Sequence, residues 1–260
     1  MLYGEERKAK ILEFVVKNSR ASVQELCLAF DVSEATIRRD LKELEEAKML
    51  KRTHGGAISL QGVNFEPTYL DKEIKLQNEK KAIAKKAAEF IEEGDTILLD
   101  SGTTTHSLVD WLKTYSRLTV VTNSLTIAQE LHDARGIDLL VVGGTLRRET
   151  LAMVGPMADQ VLDTIRVDKA FVATNGVDIV EGLTTPNLME AATKRKLIRA
   201  AKQVFLLTDH SKVGKVSLAR FAEITDISKC IMDDAVSPAF VAEMEARGID
   251  VYLAATLAAK

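Results

Sequence analysis

The sequence predicts a two-part chain: an α/β main domain with a Rossmann-like, mostly parallel sheet, preceded by a small helical head. Two observations carry that expectation. From residue 96 onward short apolar runs end in small or polar residues and are usually followed by a helical pattern, which is the rhythm of strands covered by helices on both faces. Before residue 60 no such runs occur, and helical patterns crowd together instead. The 260 residues, 46% hydrophobic and 28% charged, suit an ordinary globular chain of one large or two unequal domains, and the change of character near residue 60 favours two.

Glu5 to Lys17 sets Ile11, Leu12, Val15 and Val16 at helical spacing, an amphipathic helix ending at Asn18-Ser19. Ser22-Val-Gln-Glu25 matches a capping box, so a second helix starts at Ser22 and runs to about Phe30. Ser33 is the expected N-cap of a third helix through about Lys48. Two helices joined by so short a turn form a helix-turn-helix unit. On the third helix Ile37, Leu41 and Leu44 share one face, while Ala35, Arg39 and Lys42 point outward with Thr36 and Arg38 on the flanks. Arginine can bond guanine bidentately, a threonine methyl can pack on thymine, and bases neutralise phosphates. Glu34, Asp40, Glu43, Glu45 and Glu46 lie on the same helix, so pattern alone leaves a groove-reading face and a solvated face open. Charge does not decide it: residues 1–58 hold 11 bases and 10 acids, and the remainder 24 and 28.

Met49 to Ala57 puts bases before a Gly55-Gly56 turn, followed by Ile58, Ser59 and Leu60, a hairpin of the kind found in a winged helix-turn-helix. The stretch SEATIRRDLKELEEAKMLKRTHGGA, Ser33 to Ala57, resembles the amino-terminal signature of the DeoR family of bacterial transcriptional regulators. The resemblance implies that Thr36 to Leu41 lie in the recognition helix and that Arg52, His54, Gly55 and Gly56 form the wing. Ser22, Ser33, Ala35, Thr36, Arg38, Arg39, Lys42, Arg52 and His54 are the expected DNA-contact set. His54 has two open roles, a phosphate contact and a structural one. Ala47-Lys48 departs from the glycine many relatives carry near the helix end.

Gln61 to Leu76, with Gly62, Asn64 and Pro67, lacks periodicity and is expected to connect a head of residues 1–60 to a domain of residues 77–254. The next helix buries Ile83, Ala84, Ala87, Ala88 and Ile91, leaving Lys80, Lys81, Lys85 and Lys86 on an expected solvated side. The strands expected are Thr96–Asp100, Thr119–Thr122, Leu139–Val142, Ala170–Thr174 and Val204–Thr208. In such folds ligands sit beyond the carboxyl ends of strands. The loop Asp100-Ser101-Gly102-Thr103-Thr104-Thr105 suits a phosphate, with Gly102 giving a tight turn, backbone N–H groups opening a helix over His106–Lys113, and hydroxyls adding donors. A capped strand-to-helix turn explains it equally. Neither a Walker loop nor GxGxxG is present, so nucleotides are disfavoured.

LLDSGTTT, VVTNS, VVGGTLRRET, TNGVDIVEGLTTPNLMEAATKR and TDHSKVG follow in the order seen in the DeoR effector-binding domain, which is similar to ribose-5-phosphate isomerase. The resemblance then covers nearly the whole chain. It implies a sugar-phosphate effector held by Asp100, Ser101, Gly102, Thr103, Thr104, Thr105, Asn123, Gly143, Gly144, Glu190, Lys194, Asp209 and Lys212. Val213 stands where many relatives have Phe. Glu190 and Lys194 are also readable as a surface i,i+4 pair worth about 0.3–0.5 kcal/mol. Lys212, in a strand-end loop, reads better as a ligand cation.

The expected function is a cytoplasmic regulator, a repressor of a sugar-utilisation operon, acting as a homo-oligomer on repeated half-sites of double-stranded operator DNA and controlled by a sugar phosphate. The alternative is a sugar-phosphate isomerase or deaminase with an accessory head, since Asp100, Glu190 and Lys212 are adequate acid-base types. A complete head makes more sense as an output device. An architectural DNA binder that ignores small molecules is a third reading, disfavoured by the ligand loops. No cofactor is expected, and His106, His132 and His210 show no zinc spacing. No apolar run reaches a bilayer span, the start lacks a signal-peptide pattern, and Cys27 and Cys230 form no CxxC motif.

Overall fold

The computed structural model describes residues 4–18, 20–47, 49–53, 55–59 and 66–256. The chain divides into two compact units, Met1–Phe65 and Glu66–Lys260.

The first unit runs α1 (Gly4–Lys17), β1 (Arg20–Ser22), α2 (Val23–Phe30), α3 (Glu34–Glu46), β2 (Leu50–Thr53) and β3 (Gly56–Ser59). Both expected caps form. Ser22 Oγ accepts from the Glu25 backbone N–H at 3.1 Å while the Glu25 carboxylate accepts from Ser22 N–H at 2.7 Å, and Ser33 Oγ accepts from Thr36 N–H at 3.3 Å. Such a cap stabilises a helix by about 1 kcal/mol. The three strands pair antiparallel in the order β1-β3-β2. Gly56 is required where β3 crosses β1, because a Cβ there would lie 2.0 Å from the Ala21 carbonyl oxygen. Ile11, Val15, Leu26, Ile37, Leu41, Leu44 and Leu50 form one small core. This is the expected winged helix-turn-helix. His54, together with Gly62 and Asn64 of the connection, lies outside the described residues.

The second unit begins with α4 (Tyr69–Glu73) and α5 (Gln77–Ala88), then β4 (Thr96–Leu99), α6 (Thr103–His106), α7 (Val109–Leu112), β5 (Leu118–Thr122), α8 (Leu125–Leu131) and β6 (Ile137–Val141). A hairpin of β7 (Thr145–Arg147) and β8 (Ala152–Val154) leads to α9 (Pro156–Thr164) and β9 (Val167–Val172). There follow β10 (Gly176–Asp178), β11 (Gly182–Thr185), α10 (Leu188–Arg199), β12 (Ala201–Leu207), β13 (Ala219–Ala222), β14 (Lys229–Asp233), α11 (Pro238–Glu245) and β15 (Asp250–Ala254). Seven strands form one sheet in the order β15-β14-β12-β9-β4-β5-β6, every pairing parallel. Alternate strand residues feed two cores: Leu98, Val121, Ala170, Val172 and Leu206 on one face, Ile97, Leu99, Val120, Phe171 and Phe205 on the other.

Three expectations change. The stretch read as a featureless connection contains α4, because Thr68 and Asp71 build a capping box. The helix expected over His106–Lys113 is instead two short pieces, α6 and α7. Lys80 is not on the solvated side of α5 but 5% exposed. Its ammonium donates to the carbonyls of Lys72 and, at 2.6 Å, Lys75, closing the end of α4.

Candidate functional site

Strand order fixes where a site can be. From β4 the chain moves outward through β5 and β6, and the later strands of this sheet, β9, β12, β14 and β15, are laid down on β4's other side. The carboxyl ends of β4 and β9 therefore flank a topological switch point, where open α/β sheets hold ligands. Asp100 follows β4, and its Oδ2 accepts from the Ala173 N–H just past β9 at 3.0 Å. Lys194 of α10 reaches the same gap, donating to Asp100 Oδ2 and, at 3.0 Å, to the Ala173 carbonyl. Asp100 is fully buried. Burial pushes its carboxyl up from the usual carboxylate range, against the opposing pull of Lys194.

Glu190, one turn before Lys194, is 2% exposed. The surface-pair reading of these two is thus overturned: they stand 4.0 Å apart and each has a nearer partner. Glu190 accepts from Arg147, from Thr150 Oγ1 at 3.2 Å and from Thr185 Oγ1 at 3.4 Å. Arg147 also donates to both oxygens of Glu66. Burial works against the guanidinium charge, but Glu66 and Glu190 outweigh it and hold Arg147 above its ordinary pKa. Arg147 gets there through the Gly143-Gly144 turn. Gly144, at φ +112°, lies where a Cβ would meet the Val154 carbonyl oxygen at 2.7 Å.

The Asp100–Thr105 loop differs in part from its expected use. Gly102 has an extended backbone, φ −165°. Its lack of a side chain matters for packing, since a Cβ would lie 2.8 Å from that of Ala173. The Thr105 hydroxyl is committed to the carbonyls of Asp100 and Gly102 at 2.7 and 2.9 Å. Asn123, also buried, holds the loop in place, its Oδ1 accepting from Ser101 N–H at 3.0 Å. Polar capacity remains at the strand ends: Asp100 Oδ1, Ser101 Oγ and Thr208 Oγ1 are buried without a hydrogen-bond partner. Buried polar atoms are almost always satisfied, so three unsatisfied ones at strand ends point to a ligand.

Beyond β12, the Asp209 carboxylate accepts from Ser211 N–H at 3.0 Å and caps the short turn His210–Lys212. The Lys212 ammonium has no hydrogen-bond or ion-pair partner among the described residues, and neither does that of half-buried Lys72, whose pKa burial lowers. Burial is the largest cause of that lowering, and Glu190 and Glu66 oppose it. Sequence reasoning did not single out Glu66, Lys72 or Arg147, and it named Thr208 only as a strand end and Lys80 only as a solvated residue.

In the first unit, Ala35, Arg38, Arg39 and Lys42 are exposed on α3 and Thr36 half-exposed, and Ser33, the residue capping it, is exposed as well. Acids on the helix hold the bases in i,i+4 pairs: Arg38 with Glu34 at 3.1 Å, Arg39 with Glu43 at 3.3 Å, Lys42 with Glu46 at 3.8 Å. Asp40 faces inward, 4% exposed, gripped by Arg7 through Nε at 2.6 Å and Nη2 at 3.1 Å. It offers no charge to an approaching phosphate. Arg52 is held at the start of the wing, its N–H donating to Glu45 at 2.8 Å. The Ser22 hydroxyl is engaged with Glu25 in the cap of α2.

Residues 7–62 match the DeoR-like helix-turn-helix domain and residues 75–234 the DeoR C terminal sensor domain. The chain belongs to the DeoR family. An uncharacterised HTH-type transcriptional regulator, YulB of Bacillus subtilis, is 38% identical over 95% of each chain. The regulator GlpR of Haloferax volcanii is 38% identical over 95% of this chain and 96% of its own. The repressor GlcR of Bacillus subtilis is 34% identical over 97% of both. Among solved structures, ribose 5-phosphate isomerase A from Neisseria gonorrhoeae overlaps 54% of this chain and 55% of its own, with TM-score 0.38 and 19% identity. The chain is thus a DNA-binding transcriptional regulator with a sensor domain, and the enzyme alternative is set aside with its family. No helix among the described residues is long and apolar enough to cross a membrane.

Proposed function

We propose that this regulator represses a sugar-utilisation operon and that a sugar phosphate, bound at the carboxyl ends of β4, β9 and β12, relieves the repression. In this reading residues 1–60 bind DNA, residues 61–76 connect, and residues 77–254 hold the effector and assemble the chain into a cytoplasmic homo-oligomer on repeated half-sites. The observation that carries it is the pairing of two chemistries at the carboxyl ends of the strands. Asp100 Oδ1, Ser101 Oγ and Thr208 Oγ1 are unsatisfied partners for sugar hydroxyls, and the unpaired ammonium of Lys212, in the turn that follows β12, is a partner for a phosphate. The names of relatives fit: GlcR is called a repressor, and another relative, 30% identical, a putative aga operon repressor. On the head, Ala35, Thr36, Arg38, Arg39 and Lys42 would face the major groove with Arg52 on the wing.

The test is a thermal-shift screen of phosphorylated and free sugars, followed by titration of an operator selected from random duplexes, with and without the best hit at fixed salt. A phosphorylated sugar that stabilises the protein and changes operator affinity supports the proposal. A free sugar that does so, or isomerase turnover lost in Glu190→Gln, overturns it.

A further inference from the structure

The chain that enters the second unit is tied to the charged groups of the pocket itself. Glu66 is that unit's first residue, and its carboxylate is bound by the same guanidinium that binds Glu190. Five side chains form an alternating series: Asp100, Lys194, Glu190, Arg147, Glu66. None has a side chain more than 12% exposed. At one end, Asp100 Oδ1 lacks a partner. At the other, the backbone past Glu66 is stitched down by Tyr69 N–H donating to the Glu149 carbonyl at 2.6 Å. The cations are outnumbered three to two, so each is shared, and Glu190 and Glu66 compete for Arg147.

We infer that this series carries the state of the pocket to the chain leading to the head, with Arg147 as the latch. The inference rests on the effector reading of the pocket. A ligand anion that draws Lys194 toward itself leaves Glu190 to Arg147 alone, and the hold of Arg147 on Glu66 loosens. Occupancy then favours a released connecting segment, and linkage requires that a released segment favour occupancy in return. A lysine at position 147 would hold the pair less firmly, because it lacks the planar fork that bonds both oxygens of Glu66 while also donating to Glu190.

The experiment uses the full chain and Glu66→Gln, with Glu149→Gln as control, since Glu149 is exposed and stands 3.7 Å from the same guanidinium. Glucose 6-phosphate, fructose 1-phosphate, ribose 5-phosphate and glycerol 3-phosphate serve as probes, read by thermal shift, operator titration and hydrogen exchange of peptides over 66–76. Glu66→Gln is expected to bind the probes at least as tightly as wild type, as linkage requires of a released segment. Its 66–76 peptides should exchange at least about fivefold faster without ligand, and its operator affinity should sit near the wild type's ligand-bound value. Glu149→Gln should change neither. Wild-type switching and wild-type protection in Glu66→Gln overturn the latch.

If no probe binds wild type, the effector reading fails, and the latch is decided by exchange in Glu66→Gln and Asp100→Asn alone. Neutralising Asp100 turns Lys194 fully to Glu190 and frees Arg147 for Glu66, so exchange over 66–76 should slow, opposite to Glu66→Gln. Unchanged or faster exchange in Asp100→Asn overturns the inference.

Discussion

Helix α3 of the first unit and the strand-end cluster of the second both carry opposed charges one helical turn apart, yet the two sets behave as different materials. On α3, Arg39 is 82% exposed and its partner Glu43 40%. Such a pair is worth a few tenths of a kcal/mol and gives way readily to a phosphate or a base edge. On α10, Glu190 and Lys194 are each 3% exposed at the side chain and embedded in a series whose members cannot be removed singly without leaving a buried charge. Identical sequence spacing thus produces a replaceable surface in one unit and a committed network in the other. Burial decides which, and burial is set by what packs over the helix.

The strongest way to break that comparison is Arg147→Met. Two largely buried carboxylates, Glu66 and Glu190, lose their shared cation, and the second unit is expected to lose about 3–5 kcal/mol in urea unfolding. Arg147→Lys keeps the charge but not the fork and should fall between. A loss below about 1 kcal/mol would place the cluster with ordinary surface pairs.

On the head the effects should separate the other way. Arg39→Ala is expected to weaken operator binding by about 1–3 kcal/mol and relax base preference, while folding stability moves by less than about 0.5 kcal/mol. An unchanged site preference in a selection experiment would assign Arg39 to phosphate contact alone. Lys212→Ala is a smaller test on the pocket side. It should weaken sugar-phosphate binding about tenfold, or about 1.4 kcal/mol, with ligand-free operator affinity at the wild-type level. Undiminished effector response in that variant would move the phosphate site elsewhere.

What could be read from the sequence follows the same division. The caps at Ser22 and Ser33, the turn before α3 and the strand ends at Asp100 and Thr208 are local, each written within a few residues. Partnerships across the chain were not legible: Arg147 meets Glu190 across 43 residues and Glu66 across 81, and Lys194 meets Asp100 across 94. The last two strands of the sheet, β14 and β15, went unnoticed because each begins on a charged residue, Lys229 and Asp250. Two misplacements did carry a signal. Asp40 falls three residues after Ile37 and four before Leu44, and Lys80 three before Ile83 and four before Ala84, so helical periodicity alone sets both on buried faces. Residue type misled where period was right.

The finest test of the contrast is pH, because buried and paired lysines respond in opposite directions. Lys80 has its pKa lowered by burial to about 8, with Asp209 opposing the shift and Lys212 adding to it. Between pH 8 and the roughly 10.4 of an unfolded lysine, the unfolded chain holds the extra proton, so the contribution of this group to stability rises with pH across that window. Below pH 8 the buried ammonium is present in full and so is its cost. Lys8 on α1 is the reverse case: hydrogen bonds from its ammonium to Glu5, then Glu43, raise its pKa. Its contribution is complete below the unfolded lysine value and disappears only as pH climbs through the raised folded one. Urea unfolding at pH 7.5, 8.5 and 9.5 should therefore show Lys80→Met with a less positive pH slope than wild type. Lys8→Met should run parallel to wild type over the same range. A wild-type slope in Lys80→Met would mean that its ammonium, despite the carbonyls of Lys72 and Lys75 around it, titrates like one in open water.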